Sequence, residues 1–320
     1  MKTPVKEKIK VGLAQISPVW LNRIETTKKI IRYIEMASNK GCSLVTFGEA
    51  ILPGYPFWIS LTDGAKFNSK IQKELHSYYL SQAVQILNGD LDSICSTCKN
   101  KKIALVLGCI ELAKDRGNHS VYCSLVYINN EGEIKSVHRK LVPTYEERLS
   151  WSPGDGHGLQ VHKLESFTVG ALNCWENWMP LTRTALYGLG EDLHVAIWPG
   201  GLHNTEDITR FIAKESRSFV ISVSGLLNKE NITEDIPHYK LIRENSNEII
   251  ANGGSCLSGP DGEWLLSPQI NKEKLFTIEI NHEFVRQERQ NFDPSGHYSR
   301  PDVTQLTINR KRQSIINICD

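Results

Sequence analysis

Strand-length apolar runs rich in β-branched residues alternate along the chain with stretches whose apolar positions recur at helical spacing. KVGLAQISPV (10–19), CSLVTFGEAIL (42–52), KIALVLGCIEL (102–112), FTVGALN (167–173), LHVAIWP (193–199), SFVISVSGLL (218–227), LFTIEIN (275–281) and VTQLTIN (303–309) read as strands. Residues 22–41 carry Ile24, Ile30, Ile31 and Ile34 on one helical face and stop at Gly41. Helical patterns also fill 64–100, 180–189, 205–217 and 282–291. Two hairpins are expected: 120–142 turning at Asn129 to Gly132, and 255–268 turning at Pro260-Asp261-Gly262. Crossovers mixed with hairpins predict an α/β fold whose sheets are mixed, with helices covering them.

Composition narrows this. A chain of 320 residues with 40% hydrophobic content buries a sizeable core. Lys+Arg 37 against Asp+Glu 36 gives a formal charge of +1, which argues against a nucleic-acid or membrane surface. The opening MKTPVKEKIK lacks the apolar stretch of a secretory signal, and no apolar run approaches the ~18 residues of a membrane span. A soluble, cytoplasmic protein is expected. No linker composition, repeat or low-complexity segment divides the chain, so a single domain over 1–309 with a short tail at 310–320 is the economical division. The eight cysteines are scattered through apolar runs, unlike a disulfide scaffold. Cys95 and Cys98 form a CxxC, but no second pair at metal-ligand spacing follows, and the segment reads as the end of an amphipathic helix.

Cys174 is different, because it ends the FTVGALN strand and precedes the polar turn leading into the 180–189 helix. A thiol at a strand-to-helix junction meets unpaired backbone N–H groups and the favourable end of a helix dipole, which predicts a lowered thiol pKa. Taken alone, a buried cysteine is more often a small hydrophobe. Two more ionisable residues close apolar strands in the same way: Glu49 and Lys140. Strand ends converge on one edge of a sheet, where sites tend to form. Glu49 is also hemmed in by Phe47, Ile51, Leu52, Tyr55, Phe57 and Trp58, which a surface carboxylate does not require.

GEAILPGYPFW, HRKLVPTYEERLSWSPGDG and NCWENWMPL, in that order, resemble the three catalytic segments of the nitrilase superfamily of carbon–nitrogen hydrolases. The resemblance runs from about residue 8 to about 309, and CWENWMPL with FDPSGHYSRPDV (292–303) is similar to the nitrilase branch in particular. It implies a four-layer α-β-β-α sandwich. It further implies Cys174 as nucleophile, Glu49 as general base and Lys140 as the cation that offsets developing charge. Glu147 is implied as a second carboxylate orienting that lysine, in preference to Glu146; a surface pair with Arg148 is the plain alternative. The implied substrate is a small-molecule nitrile, hydrolysed to a carboxylic acid and ammonia through a thioimidate and a thioester, with no cofactor and no metal. An amidase-type hydrolase using the same residues is the alternative. Tyr55, Trp58, Trp175 and Trp198 are candidate pocket walls, though aromatics at strand ends are as often core. Glu176 and Asn177 are expected to bond within their own turn, Cys256 to be core, and His157, His203 and His297 to take no part. A homodimer or higher homo-oligomer is expected.

Overall fold

The computed structural model describes residues 5–316. In chain order the elements begin with β1 (Lys8–Gln15), α1 (Arg23–Asn39), β2 (Leu44–Phe47), α2 (Trp58–Leu61), α3 (Lys70–Gln82), α4 (Asp92–Lys101), β3 (Ala104–Leu112), β4 (Val121–Ile128) and β5 (Ile134–Arg139). The second half comprises β6 (His162–Leu164), β7 (Phe167–Asn173), α5 (Pro180–Gly188), β8 (Leu193–Trp198), α6 (Ile208–Ser216), β9 (Phe219–Ser224), β10 (Leu226–Asn228), α7 (Tyr239–Asn245), β11 (Ile249–Ser258), β12 (Trp264–Ile270), β13 (Lys274–Asn281) and α8 (His282–Arg289).

One sheet runs β13-β1-β2-β3-β4-β5, parallel at its β1-β2-β3 centre and antiparallel outside it. The other runs β10-β11-β9-β8-β7-β6, parallel at β7-β8-β9, with β12 also paired to β11. Both sheets are mixed, as the alternation of crossovers and hairpins predicts. The pleat decides which residues face which layer. Ile9, Val11 and Leu13 of β1 meet Val195, Ile197, Ile221 and Val223 in the core between the sheets. Ala14 of β1 faces the other way, toward Ile30, Ile34 and Ala37 of α1 and Cys98 of α4. On the far side of the second sheet, Ala196, Trp198 and Val220 pack on Ile208, Ile212 and Ala213 of α6. Each fully buried aliphatic contributes about 1.5–3 kcal/mol. The result is the four-layer α-β-β-α sandwich.

The structure departs from the sequence reading in four places. The 64–100 pattern is two helices separated by a turn that ends at Gly89 with φ 86°, and Ser69 caps the first by accepting the Gln72 N–H. β6, β10 and α7 are too short to leave a periodic trace in the sequence. β11 starts at Ile249, six residues before the predicted hairpin. The VTQLTIN stretch (303–309) forms no strand; it is mostly exposed and lies outside both sheet orders.

Candidate active site

Glu49, Lys140 and Cys174 lie just beyond the ends of β2, β5 and β7. Each is held there by its backbone. The Glu49 N–H donates to the carbonyl of Trp198, at the end of β8, at 3.0 Å, tying the two sheets together at this edge. Gly108 of β3 makes room for that crossing: a Cβ there would lie 2.3 Å from the Gly48 oxygen and 2.8 Å from Glu49 Cα. The Lys140 N–H donates to the Cys123 carbonyl and the Lys140 carbonyl accepts from the Gly154 N–H, both at 2.8 Å.

Cys174 sits at φ 46°. A left-handed conformation in a non-glycine residue costs of order 1–3 kcal/mol and persists only where its surroundings impose it. They do so here through Glu176. With Asn173 it forms a capping box around the single turn Cys174–Trp178, its carboxylate accepting the Asn173 N–H at 3.0 Å. The same buried carboxylate accepts the Leu141 N–H at 2.7 Å and His138 Nε2–H at 3.1 Å, so one side chain joins the cysteine turn to the segment that carries Lys140. Asn177 closes the turn by donating to the Cys174 carbonyl at 2.8 Å, and its own oxygen accepts from His194 at 2.7 Å.

The side chains converge. Lys140 Nζ lies 2.9 Å from Glu49 Oε1 and 2.7 Å from Glu147 Oε2, with all three side chains shut off from solvent. Glu147 accepts further from Tyr55 OH at 2.8 Å and the Thr144 N–H at 2.6 Å. Arg148 turns away and donates to the Pro143 carbonyl instead. Carboxylate oxygens of Glu49 and Glu147 and the sulfur of Cys174 fall within 4.8 Å of one another. Three such ligand atoms could share a metal ion, but an ammonium bonded to both carboxylates already supplies a cation at that point.

Burial governs the protonation states. Desolvation pushes the Glu49 carboxyl up to about 7, with Lys140 pulling it down and Glu147 pushing it up. Burial pulls Lys140 down, yet Glu49, Cys174 and Glu147 hold it well above the ordinary lysine value. The Cys174 thiol is likewise raised, by burial and then by Glu49, against the smaller pulls of Lys140 and the Trp175 N–H. This corrects the expectation of a lowered thiol pKa: one turn's N–H groups do not offset complete burial beside a carboxylate. The resting residue is a neutral thiol. Among the described residues Glu49 Oε2 has no hydrogen-bond partner.

The aromatics separate. Tyr55 touches the site through Glu147 and, with Trp20, Ile51, Phe57, Leu227 and Glu49, lines a cavity of about 10 Å³. Trp175 is 52% exposed beside Trp178. Trp198 has no accessible surface, packs with Ile208 and Ile212 and donates its Nε1–H to Ser222 Oγ. Trp58 is buried against Tyr79. Both are core side chains here. Cys98 packs in the layer under α1, and Cys256 is buried against Thr209. Cys319 lies outside the described residues. Reading the sequence missed His138, Gly108 and Cys123, and assigned Glu176 only to its own turn. The Asn-x-x-Glu capping signature was visible; the reach to Leu141 and His138, across dozens of residues, was not.

Two mixed sheets between helices, with a thiol, a lysine and two carboxylates buried together at the strand ends, define an α/β hydrolytic enzyme. A family profile described as carbon-nitrogen hydrolase matches residues 10–290, and the chain belongs to that family. It is 32% identical over 306 residues to "Nitrilase 2" of an unknown prokaryotic organism, covering 95% of this chain and 94% of that protein. It is 30% identical to an "Aliphatic nitrilase" of Rhodococcus rhodochrous, covering 96% of this chain and 84% of that one. The crystal structure of a carbon-nitrogen hydrolase from Helicobacter pylori superposes with a TM-score of 0.69 at 21% identity, covering 92% of this chain and 96% of that one. Among the described residues no helix is long and apolar enough to cross a membrane.

Proposed function

We propose that the chain is a nitrilase, converting an organic nitrile and two waters into a carboxylic acid and ammonia. The observation that carries this reading is the Glu49 carboxylate within 4.8 Å of the Cys174 sulfur, one of its oxygens unpartnered among the described residues, with Lys140 fixed beside it by two carboxylates. The similarity to proteins named nitrilases over most of the chain supports it.

Because the thiol rests neutral, Glu49 takes its proton as sulfur attacks the nitrile carbon. That proton passes to the nitrogen, giving a covalent thioimidate. Glu49 then activates a water that adds to the same carbon, and the tetrahedral intermediate expels ammonia and leaves a thioester. A second water releases the acid and restores the thiol. Lys140 Nζ and the Trp175 N–H offset charge developing on the substrate, an effect worth about 3 kcal/mol per well-aimed donor. Glu147 holds Lys140 in line and is itself held by Tyr55 and Thr144. Leu181 on α5, Leu189 just after it and Phe211 on α6 are exposed apolar side chains, which supports assembly into a homodimer or higher homo-oligomer.

Ammonia release from aliphatic, arylacetonitrile and aromatic nitriles, run beside the matching amides, tests the reading. Turnover of nitriles to the acid is expected. Turnover of amides alone would replace it with an amidase-type hydrolase, and no turnover by folded protein would end it.

A further inference from the structure

The site contains a second thiol that the chemistry above does not use. Cys123 lies on β4 and is 1% exposed. Its sulfur is 3.5 Å from Glu49 Oε1 and 3.8 Å from Asn173 Oδ1, and its carbonyl accepts the Lys140 N–H at 2.8 Å. One residue therefore reaches the carboxylate of the base, the backbone of the lysine and the residue directly before the nucleophile. We propose that Cys123 is a positioning residue for Glu49, its S–H fixing Oε1 with a weak hydrogen bond so that Oε2 is left without a donor and the carboxylate remains basic.

The inference rests on the reading of Glu49 as the base and deepens it. Glu49 Oε1 has two donors, Lys140 Nζ and the Cys123 thiol, and Oε2 has none among the described residues. The titratable groups facing this carboxyl are Lys140, Glu147, Cys123, Cys174, Tyr55 and Tyr79. Burial and the Glu49 charge hold the Cys123 thiol well above its ordinary value, so it keeps its proton and serves as a donor. A thiol is a poor donor compared with an amide or hydroxyl. A stronger donor at this position would stabilise the carboxylate and weaken the base. No donor at all would leave the carboxylate less stabilised and free to turn.

Two substitutions push in opposite directions. Cys123→Ala removes the donor. Cys123→Asn puts an amide of similar bulk there, whose N–H reaches further toward Glu49 than the thiol does. The pH profile of kcat/KM on a nitrile substrate has an acid limb where Glu49 takes up a proton. That limb should lie at higher pH in Cys123→Ala and lower pH in Cys123→Asn. Below the limb the difference from the unmodified enzyme should be about threefold in each direction after scaling to the plateau, the size of one modest neutral hydrogen bond. Coincident acid limbs in all three proteins, whatever happens to the plateau, would overturn the proposal. Infrared spectroscopy gives a second test that needs no turnover. The S–H stretch of Cys123, isolated by subtracting the Cys123→Ala spectrum, should shift with pH as Glu49 titrates and should lose that dependence in Glu49→Gln. An S–H band indifferent to both would refute the contact, and a responsive band in a protein without nitrile turnover would sustain it while the functional reading fails.

Discussion

Glu49→Gln separates the stability of this fold from its chemistry. The carboxyl rises from an ordinary 4.5 to about 7 because burial penalises its charge more than Lys140 repays it. A carboxyl that holds its proton more tightly when folded binds more protons in the folded chain between pH 4.5 and about 7. Stability therefore falls as pH rises across that window and is level above it. At about 1.4 kcal/mol per pH unit, ionised Glu49 costs folding roughly 3 kcal/mol above pH 7. Glutamine resembles the protonated acid, so the variant should match the unmodified protein near pH 4.5 and exceed it by up to that amount at pH 8. With an unfolding entropy of about 2.1 cal/mol/K per residue over 320 residues, the gain is about 4 °C in Tm. Melting curves for both proteins from pH 5 to 8.5, with ammonia release alongside, read the two effects together. Activity should fall by 10²–10⁴, the usual contribution of a general base. A Tm difference that does not change with pH, or a variant less stable at pH 8, would show that the buried carboxyl is not raised and would remove the physical ground for treating it as the base.

Cys174→Ala should abolish turnover with circular dichroism unchanged, whereas Cys95→Ser with Cys98→Ser should leave activity largely intact; loss only in the second would put the reactive thiol elsewhere. Gly108→Ala should cost about 1–3 kcal/mol in urea melts and depress kcat, because its Cβ collides with the Gly48 carbonyl and the Glu49 backbone. Gly188→Ala, whose Cβ meets nothing within 4 Å, is the neutral control, and equal effects of the two would refute the steric argument. Glu176→Gln turns one of the two acceptors serving Asn173, Leu141 and His138 into a donor. It should cost about 1–3 kcal/mol in stability and lower kcat more than it raises KM; unchanged kcat would mean that the carboxylate holds only its own turn.

Strand ends carried most of what could be read in advance. Glu49, Lys140 and Cys174 each terminate an apolar run, and alternate residues of β1 and β8 face opposite core layers, which makes those runs two stacked sheets with a common edge. Glu147 follows no apolar strand; only its place in the motif singled it out, and its link to Tyr55 spans 92 residues. Periodicity cannot say whether an aromatic lines a pocket or fills a core, so Trp198 and Trp175 looked alike before the structure buried one and exposed the other. The helical pattern through 64–100 survived a Gly89 break because the apolar spacing resumes in register beyond it. Cys123 looked like one more buried thiol in a strand, and nothing local marks a side chain whose partner is 74 residues away.

One ammonium serves two carboxylates in this cluster, and that imbalance bears directly on the proposed chemistry. Glu147 has three donors, Lys140, Tyr55 and the Thr144 N–H. Among the described residues Glu49 shares the same lysine and otherwise has only the thiol of Cys123. Charge stabilisation is therefore distributed unevenly: one carboxylate is well solvated by the protein and the other is left short. The poorly solvated one can gain free energy by taking a proton, as a base must. Cys174 beside it is held in its protonated form by burial, so the thiol keeps its proton until substrate arrives and Glu49, once ionised, can take it. Deprotonation then coincides with carbon–sulfur bond formation, when the new charge moves onto the substrate within reach of Lys140. Adding a second cation to the cluster would satisfy Glu49 and increase stability, but it would remove the deficit from which its basicity comes.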